Sequence, residues 1–287
     1  MKGIASAPGS ATVVNAIATG RGAAFAIDLR VRAEVNLTTE PGKIVGYVGG
    51  TSESPKLIET CVRKVLQKLD ANKKYGAKVI TSTDVPIAVG LSSSSSAANA
   101  VVLATFAALG DEPEPMEAIN LGVDAAFEAG TTVTGAFDDA SASYLGGGVI
   151  TDNLERKILR RFQVDPKLRV LIYIPPRKKY TREINRRQVK PIAELVKLAH
   201  EMALNGNIFR ALTVNGMLYS VAMGYDLTPA LEALELGALA SGVTGTGPAI
   251  VAICKTQKIG EIKKAWAKRP GRIVETRPSL EGARVEK

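Results

Sequence analysis

The chain of 287 residues contains two cysteines, one histidine and few aromatic residues, which make up 5% of it. Cys61 and Cys254 lie far apart and neither belongs to a CxxC pair, so a disulfide framework and a cysteine-based zinc site are not expected. A single His200 excludes a histidine-rich metal site, and its apolar surroundings indicate a helix with His200 on the surface. This sparse use of cysteine is typical of a reducing cytoplasm.

Long hydrophobic runs are also missing. No apolar run approaches the ~20 residues that a membrane span requires. The N-terminal segment is interrupted by Pro8, Gly9, Ser10 and Asn15, which argues against a signal peptide. We therefore expect no membrane partner and a cytoplasmic location.

Acidic residues are in deficit. Lys and Arg number 37 against 28 for Asp and Glu, which leaves a net charge of +9 and favours anionic partners. These could be nucleic acid, an acidic membrane surface, or small phosphorylated and carboxylated molecules. Arginine and aromatic residues do not alternate as base-stacking surfaces would need, so a nucleic-acid-binding module is the weaker alternative.

The order of predicted elements divides the chain into a mixed first half and a helix-rich second half that ends β-α-β. We predict domains at residues 1–155 and 156–287, with the boundary near 150–165. Apolar periodicity and turn residues predict strands at 11–17, 22–29, 31–38, 170–174, 249–254 and 272–276 and the start of a strand at 149, and residues 79–80 are also apolar and β-prone. The same signals predict helices at 55–69, 97–109, 115–129, 192–204, 207–223, 228–236 and 259–267.

A run of five serines follows Gly90 and Leu91, at the point where the apolar, β-prone segment 85–89 gives way to an alanine-rich helix that stops at Gly110. Free backbone N–H groups, the positive end of a helix dipole and hydroxyl groups meet at such a junction. The run therefore predicts a phosphate-binding loop rather than a flexible linker. A plain helix cap is the alternative.

Two adjacent carboxylates, Asp138 and Asp139, lie in the polar segment 134–143 within apolar surroundings. One could accept a proton from an attacking alcohol and the other could hold Mg²⁺. The alternative is an acidic helix start that satisfies free N–H groups. A third segment, Gly242 to Gly247, is rich in glycine and could approach a ligand closely, although a tight turn would have the same composition.

The segment Pro86-Ile87-Ala88-Val89-Gly90-Leu91-Ser92-Ser93-Ser94 resembles the PxxxGLxSS loop of the GHMP small-molecule kinases, which include galactokinase, homoserine kinase and mevalonate kinase. Ala7-Pro8-Gly9 looks like the family's N-terminal segment, and Gly242 to Gly247 like its C-terminal glycine loop. The three motifs follow the family's order over almost the whole chain. The resemblance implies an α+β, two-domain fold, with a ribosomal-protein-like N-terminal domain and a ferredoxin-like C-terminal domain, and ATP and Mg²⁺ as cofactors.

The resemblance also implies roles for residues. Asp139 would be the catalytic base, Glu128, eleven residues earlier, a magnesium ligand, and Ser94 (or Ser93) a second ligand. The nucleotide would be bound by Pro86, Gly90, Leu91, Ser92, Ser93, Ser94, Ser95 and Ser96. Many relatives have a lysine after Ala-Pro-Gly where this chain has Ser10, which puts lysine assistance in doubt unless Arg21 or another cation replaces it.

Within the family, the segments 11–24 and 134–140 are similar to the archaeal-type shikimate kinases. That resemblance implies transfer of the ATP γ-phosphoryl group to the 3-hydroxyl of shikimate, a carboxylate with three ring hydroxyls whose site needs cations and hydrogen-bonding groups. The candidate substrate residues are Asn15, Arg21, Thr134, Gly135, Asp138, Thr181, Arg182, Thr244 and Gly245. A sister kinase acting on homoserine or an isoprenoid alcohol is the alternative.

Overall fold

The computed structural model describes residues 1–50, 52–176 and 186–286, and residue 186 by its backbone only. Within these residues the chain forms two β-sheets with helices packed against them. The larger sheet has seven strands, β11-β1-β2-β4-β3 with β5 and β6 attached through β2, and the smaller has four, in the order β10-β7-β9-β8.

The larger sheet is built mainly from the first half of the chain, with antiparallel pairs apart from β3 beside β4. Its strands are β1 (Lys2–Val14), β2 (Arg21–Thr38), β3 (Ile44–Val48), β4 (Gly76–Thr83), β5 (Gly148–Asp152), β6 (Lys157–Phe162) and β11 (Arg284–Val285). The smaller sheet is antiparallel and comprises β7 (Arg169–Ile174), β8 (Ala240–Val243), β9 (Ile250–Cys254) and β10 (Arg272–Thr276). The division at 155/156 remains a prediction.

Nine α-helices are found in the described part of the chain. They are α1 (Lys56–Lys68), α2 (Ser93–Leu109), α3 (Pro115–Ala129), α4 (Phe137–Leu145), α5 (Arg186–Val189), α6 (Ala193–Leu204), α7 (Ile208–Met223), α8 (Thr228–Glu235) and α9 (Ile259–Trp266). Helix α2 is apolar on all sides because it lies in the interior, and it contacts β1, β2, α1 and α3. None of the helices in the described ranges is long and apolar enough to cross a membrane.

Most of the predicted elements are present, with differences at their ends. The strands predicted at 22–29 and 31–38 form one continuous strand, β2, because β1 pairs with most of its length, including Arg30, while β5 and β4 pair with its two ends on the other side. The first strand begins at Lys2 and ends at Val14, short of the predicted residue 17. Strands β3, β6, β8 and β11 were not predicted; β3 and β6 are exposed or half-buried at most positions, and β8 and β11 are short, so each carries only a weak apolar pattern.

Two local predictions are wrong. The segment 85–89 is not extended, because the chain leaves β4 at Thr83 and turns through Ala88, which has a positive φ of 59°. His200 is not on the surface of its helix but only 1% exposed, where helix α6 packs against the larger sheet. Burial lowers the pKa of His200, so the ring is neutral near pH 7. Cys61 and Cys254 are free and buried, and Cys254 lies on a buried strand as predicted.

The hydrophobic core joins the two sheets. One cluster of buried residues includes Phe25 of β2, Ile150 of β5, Ile172 of β7 and Leu212 of α7. A second cluster fills the space between the larger sheet and helices α1, α2 and α3. The shared core fixes the glycine-rich loop between β8 and β9 beside the start of helix α2, which is where the predicted site lies.

Candidate active site

The serine run forms the start of helix α2. Ser92 caps the helix in a left-handed conformation (φ 60°, ψ 31°), and the first backbone bond of the helix runs from the N–H of Ser96 to the carbonyl of Ser92 at 3.0 Å. The N–H groups of Ser93, Ser94 and Ser95 therefore have no partner within the helix. Together with the helix dipole they form a site suited to a phosphate group.

The residues of the predicted phosphate loop divide into two groups. Gly90, Leu91 and Ser92 to Ser95 line a cavity, whereas Pro86 and Ser96 do not line it. Ser96 is fully buried, and its hydroxyl lies 2.9 Å from the carbonyls of Pro8 and Ser92. Ser96 thus holds the loop against strand β1, and the helix begins earlier, at Ser93.

The glycine-rich loop after β8 packs directly on the phosphate loop. The Thr244 hydroxyl donates to the carbonyl of Gly90 (3.1 Å) and accepts the N–H of Thr12 (2.9 Å). A Cβ on Gly90 would lie 2.1 Å from the Thr244 carbonyl oxygen, and its φ of +91° also disfavours a side chain. Gly245 is equally confined, since a Cβ there would lie 2.8 Å from the Gly90 carbonyl oxygen. The glycine-rich loop after β8 therefore determines the backbone conformation of the phosphate loop at Gly90.

The acidic pair lies in the first turn of helix α4. Asp139 faces the phosphate loop, and its Oδ1 is 2.8 Å from the hydroxyl oxygen of Ser10. Asp138 is buried beside strand β5, where Asn153 Nδ2 donates to its Oδ1 at 2.8 Å and Thr151 donates to Asn153 Oδ1 at 2.7 Å. The two carboxylates therefore have different partners although they are adjacent in sequence.

Burial controls the ionisation of both carboxyl groups. Burial, and then the neighbouring Asp139 charge, raise the pKa of Asp138 to about 7, and the hydrogen bond from Asn153 opposes this. Burial also raises the pKa of Asp139, while the Ser92 and Ser10 hydroxyls lower it. Carboxyl groups with raised pKa values in a cleft are suited to proton transfer near neutral pH.

A cavity of about 490 Å³ connects these elements. Its lining includes residues just before and at the start of α1 and at the end of α3, among them Ser54, Leu57 and Ala129. Its wall also includes Asn15, Thr134, Asp138, Asp139 and Gly245. The phosphate loop lines the same cavity. A nucleotide and a small acceptor could thus meet in this cavity at the start of helix α2 and beside Asp139.

Four predicted substrate residues, Asn15, Thr134, Asp138 and Gly245, line this cavity. Three others are placed elsewhere. Arg21 is on the surface, with its Nε 3.6 Å from Asp152 Oδ2. The Thr244 hydroxyl supports the phosphate loop by donating to the Gly90 carbonyl. Gly135 forms the turn before α4 with a φ of +83°. Thr181 and Arg182 lie outside the described residues.

Glu128 is not brought to this site. The cavity contacts helix α3 at Ala126 and Ala129, and at about 100° per residue Glu128 lies about 200° around the helix from Ala126. Its carboxylate instead pairs with Arg63 and Lys64 on the outer face, 3.2 Å from the Lys64 Nζ. The spacing between Glu128 and Asp139 resembles the family pattern, but the helix turns Glu128 away from the cavity.

Sequence reasoning missed three residues at the site. Ser10 was noted only because many relatives have a lysine at this position, yet its hydroxyl contacts Asp139. Asn153 carried no signal, because its contact with Asp138 follows from strand β5 lying beside helix α4. Lys56, at the start of α1, lines the cavity and brings a cation to it, and no local sequence pattern marked it.

The two halves of the chain match the two parts of a known kinase family. Residues 56–147 match the GHMP kinases N terminal domain, and residues 185–272 match the GHMP kinases C terminal domain. The chain belongs to the GHMP kinases, which are small-molecule kinases that use ATP.

Its curated relatives include the shikimate kinase of Methanosarcina acetivorans, 45% identical over 96% of this chain and 93% of the relative. The shikimate kinase of Methanothermobacter thermautotrophicus is 44% identical over 97% of this chain and 96% of the relative. Among solved structures, the Methanococcus jannaschii mevalonate kinase has a TM-score of 0.78 at 20% identity, covering 96% of this chain and 98% of that one. The homoserine kinase from Cytophaga hutchinsonii has a TM-score of 0.75 at 19% identity, covering 99% and 97%. These two structures support the fold.

Proposed function

We propose that this chain is a shikimate kinase, which transfers the γ-phosphoryl group of ATP to the 3-hydroxyl of shikimate in the biosynthesis of aromatic amino acids. The observation that carries the proposal is the meeting of Ser92–Ser95 and Asp139 in one cavity, in a chain 45% identical to a curated shikimate kinase. A cytoplasmic location follows from this role. The domains at 1–155 and 156–287 then correspond to the two halves of the kinase.

The chemistry needs a base beside the phosphoryl group. The 3-hydroxyl gives its proton to the carboxylate of Asp139 as its oxygen attacks the γ-phosphorus, and the bond from that phosphorus to the bridging oxygen breaks to release ADP. The free N–H groups of Ser93 to Ser95 stabilise the negative charge that spreads over the transferred group. Asp138, held by Asn153, would accept a hydrogen bond from another hydroxyl of the acceptor.

The residues at the site fit a magnesium ion that arrives with the nucleotide. No group of three His, Cys, Asp or Glu side chains in the described residues could hold a metal alone. Mg²⁺ usually keeps several waters and is bound in part through substrate phosphates, so it needs few protein ligands. Ser94, exposed at the start of helix α2, would hold it beside those phosphates, while Glu128 is on the outer face of α3. When bound, the ion would neutralise charge on the phosphates.

A substrate panel tests the proposal. ADP release is measured with ATP and Mg²⁺ in the presence of shikimate, homoserine or mevalonate, each over a range of concentrations. We expect rapid turnover with shikimate and none above background with the other two. Turnover with homoserine or mevalonate alone would assign the chain to a sister kinase, and no turnover with any of them would refute an alcohol acceptor of this group.

A further inference from the structure

Strand β1 places a hydroxyl group against the proposed base. Ser10 is fully buried, and its Oγ lies 2.8 Å from Asp139 Oδ1 and 2.7 Å from the Oγ of Ser92. A carboxylate can only accept a hydrogen bond, so the Ser10 hydroxyl donates its one proton to Asp139. Ser10 then accepts the proton of Ser92. The three side chains form a chain of hydrogen bonds from the phosphate loop to the carboxylate.

The backbone fixes both hydroxyls in place. Ser10 lies in the paired part of β1, opposite Ala26 of β2, and its N–H points to the carbonyl of Leu91 at 3.4 Å. Ser92 is held by its left-handed backbone conformation as the cap of helix α2. Because both hydroxyls are already held in place before the reaction, the hydrogen bond from Ser10 to Asp139 costs little additional entropy.

Few charged side chains on the described elements around Asp139 are available to interact with its carboxylate. Helix α2 contains no charged residue, β1 contains one, Lys2 at its far end, and Asp138 on the same helix is the titratable group next to Asp139. The other elements against α4 are β2, α3 and β5, and several of their charged side chains have partners elsewhere: Arg21 with Asp152, Arg30 with the Gly282 carbonyl, Glu117 with Lys68, Asp124 with Arg156, and Glu128 with Arg63 and Lys64.

We propose that Ser10 is a positioning residue for Asp139, and that its hydroxyl, aligned by Ser92 of the phosphate loop, keeps the carboxylate ionised and turned toward the acceptor alcohol. The kinetic part of this proposal rests on the proposed function, whereas the hydrogen bond itself does not. In this chain, neutral hydroxyl groups on β1 and on the phosphate loop stabilise the ionised form of the base, as a nearby cation would. A hydrogen bond to a charged acceptor is strong enough for this role.

The first test needs no substrate. Aspartate carboxyl carbons are labelled with ¹³C, the Asp139 signal is assigned by its loss in Asp139→Asn, and its pKa is measured for wild type, Ser10→Ala and Ser143→Ala. The hydroxyl of Ser143 is buried on α4 and has no partner among the described residues, so this variant is a matched control. We expect the pKa of Asp139 to rise by about one unit in Ser10→Ala and to stay unchanged in Ser143→Ala.

Asp138 and Asp139 interact, so the titration is repeated in an Asp138→Asn background, where Asp139 titrates alone. An unchanged pKa of Asp139 in Ser10→Ala in this background would overturn the proposal, whatever the enzyme's substrate. Correct folding of Ser10→Ala, which removes one oxygen atom, is checked by its melting temperature.

The second test is kinetic. The acid limb of the kcat–pH profile with shikimate should move upward by the same amount in Ser10→Ala, with the KM for ATP unchanged, and Ser143→Ala should follow wild type. A shifted titration with an unmoved acid limb would overturn the role of Ser10 in catalysis. If wild type turns over no shikimate but the titration shifts, the proposed function fails while the assignment of the Ser10 hydrogen bond to Asp139 is supported.

Discussion

Replacing Asp139 with asparagine tests the central chemical assignment with the smallest change of shape. The amide oxygen of the new side chain can still accept the Ser10 hydroxyl at the 2.8 Å contact seen for Asp139 Oδ1, so the side chain keeps its position. Only the ability to take up a proton is lost. We expect kcat with shikimate to fall, because the acceptor hydroxyl then has no base beside it.

The structure indicates the size of this effect. General base catalysis contributes about 10²–10⁴-fold to the rate. Burial raises the pKa of Asp139, which makes it a stronger base than an exposed aspartate, although the hydroxyls of Ser92 and Ser10 limit the rise. We therefore expect kcat to fall by at least about 10²-fold. Binding of ATP should be nearly unchanged, since the N–H groups of Ser93 to Ser95 are not altered.

The assay follows ADP release at saturating shikimate and ATP, and nucleotide binding is measured separately by calorimetry. Asp138→Asn is the matched control, because it makes the same change one residue away, at a carboxyl group that faces Asn153 instead of the phosphate loop. We expect a smaller loss of kcat and a higher KM for shikimate in this variant. Near-wild-type kcat in Asp139→Asn would refute the assignment of the base, and a larger loss in Asp138→Asn would transfer the role to Asp138.

Three further outcomes are expected. Gly90→Ala should raise the KM for ATP about tenfold or more, because a Cβ would lie 2.1 Å from the Thr244 carbonyl oxygen, whereas Gly110→Ala, with a similar positive φ but open space around it, should leave it unchanged. Glu128→Gln should leave the Mg²⁺ dependence of kcat unchanged, since Glu128 faces Arg63 and Lys64; a large increase in the Mg²⁺ concentration needed for half-maximal rate would contradict the geometry. The free energy of unfolding should fall as pH rises from about 4 to 7, because the folded state raises the pKa of Asp138 to about 7 and so binds more protons than the unfolded state in this window. Urea unfolding at pH 5 and pH 8 should show a smaller difference for Asp138→Asn than for wild type, and an equal difference would contradict this source of the pH dependence.

The sequence was most informative where local physical chemistry decides the structure. The five serines before an apolar helix indicated free N–H groups at a helix start, and Ser93–Leu109 is that helix. Asp139 was selected by the family resemblance, eleven residues after Glu128, and the structure places it against the phosphate loop. Its role as the base remains a prediction. Segment 85–89 was misread because an apolar run of that length is compatible with a strand, while its turn depends on contacts with the glycine-rich loop.

The parts that could not be predicted depend on contacts between distant segments. Spacing along the chain suggested Glu128 as a metal ligand near Asp139, but only the packing of α3 shows which face of that helix meets the cavity. His200 was misplaced for the same reason, since only the packing of α6 against β1, β2 and β5 shows which face of that helix is buried. Ser10 and Asn153 meet the acidic pair across 129 and 15 residues of chain, respectively, and no local pattern carries that information.

The contact between Gly90 and the loop at Thr244 has a consequence for how the protein is made. The two residues are 154 positions apart, so the loop that would bind phosphate lacks its support until residue 244 has left the ribosome. Strand β1, the first strand described, is paired later still with β11, the last strand described. A nascent chain that ends before residue 244 should therefore be unable to retain nucleotide, and ATP would stabilise only molecules whose synthesis has passed this point.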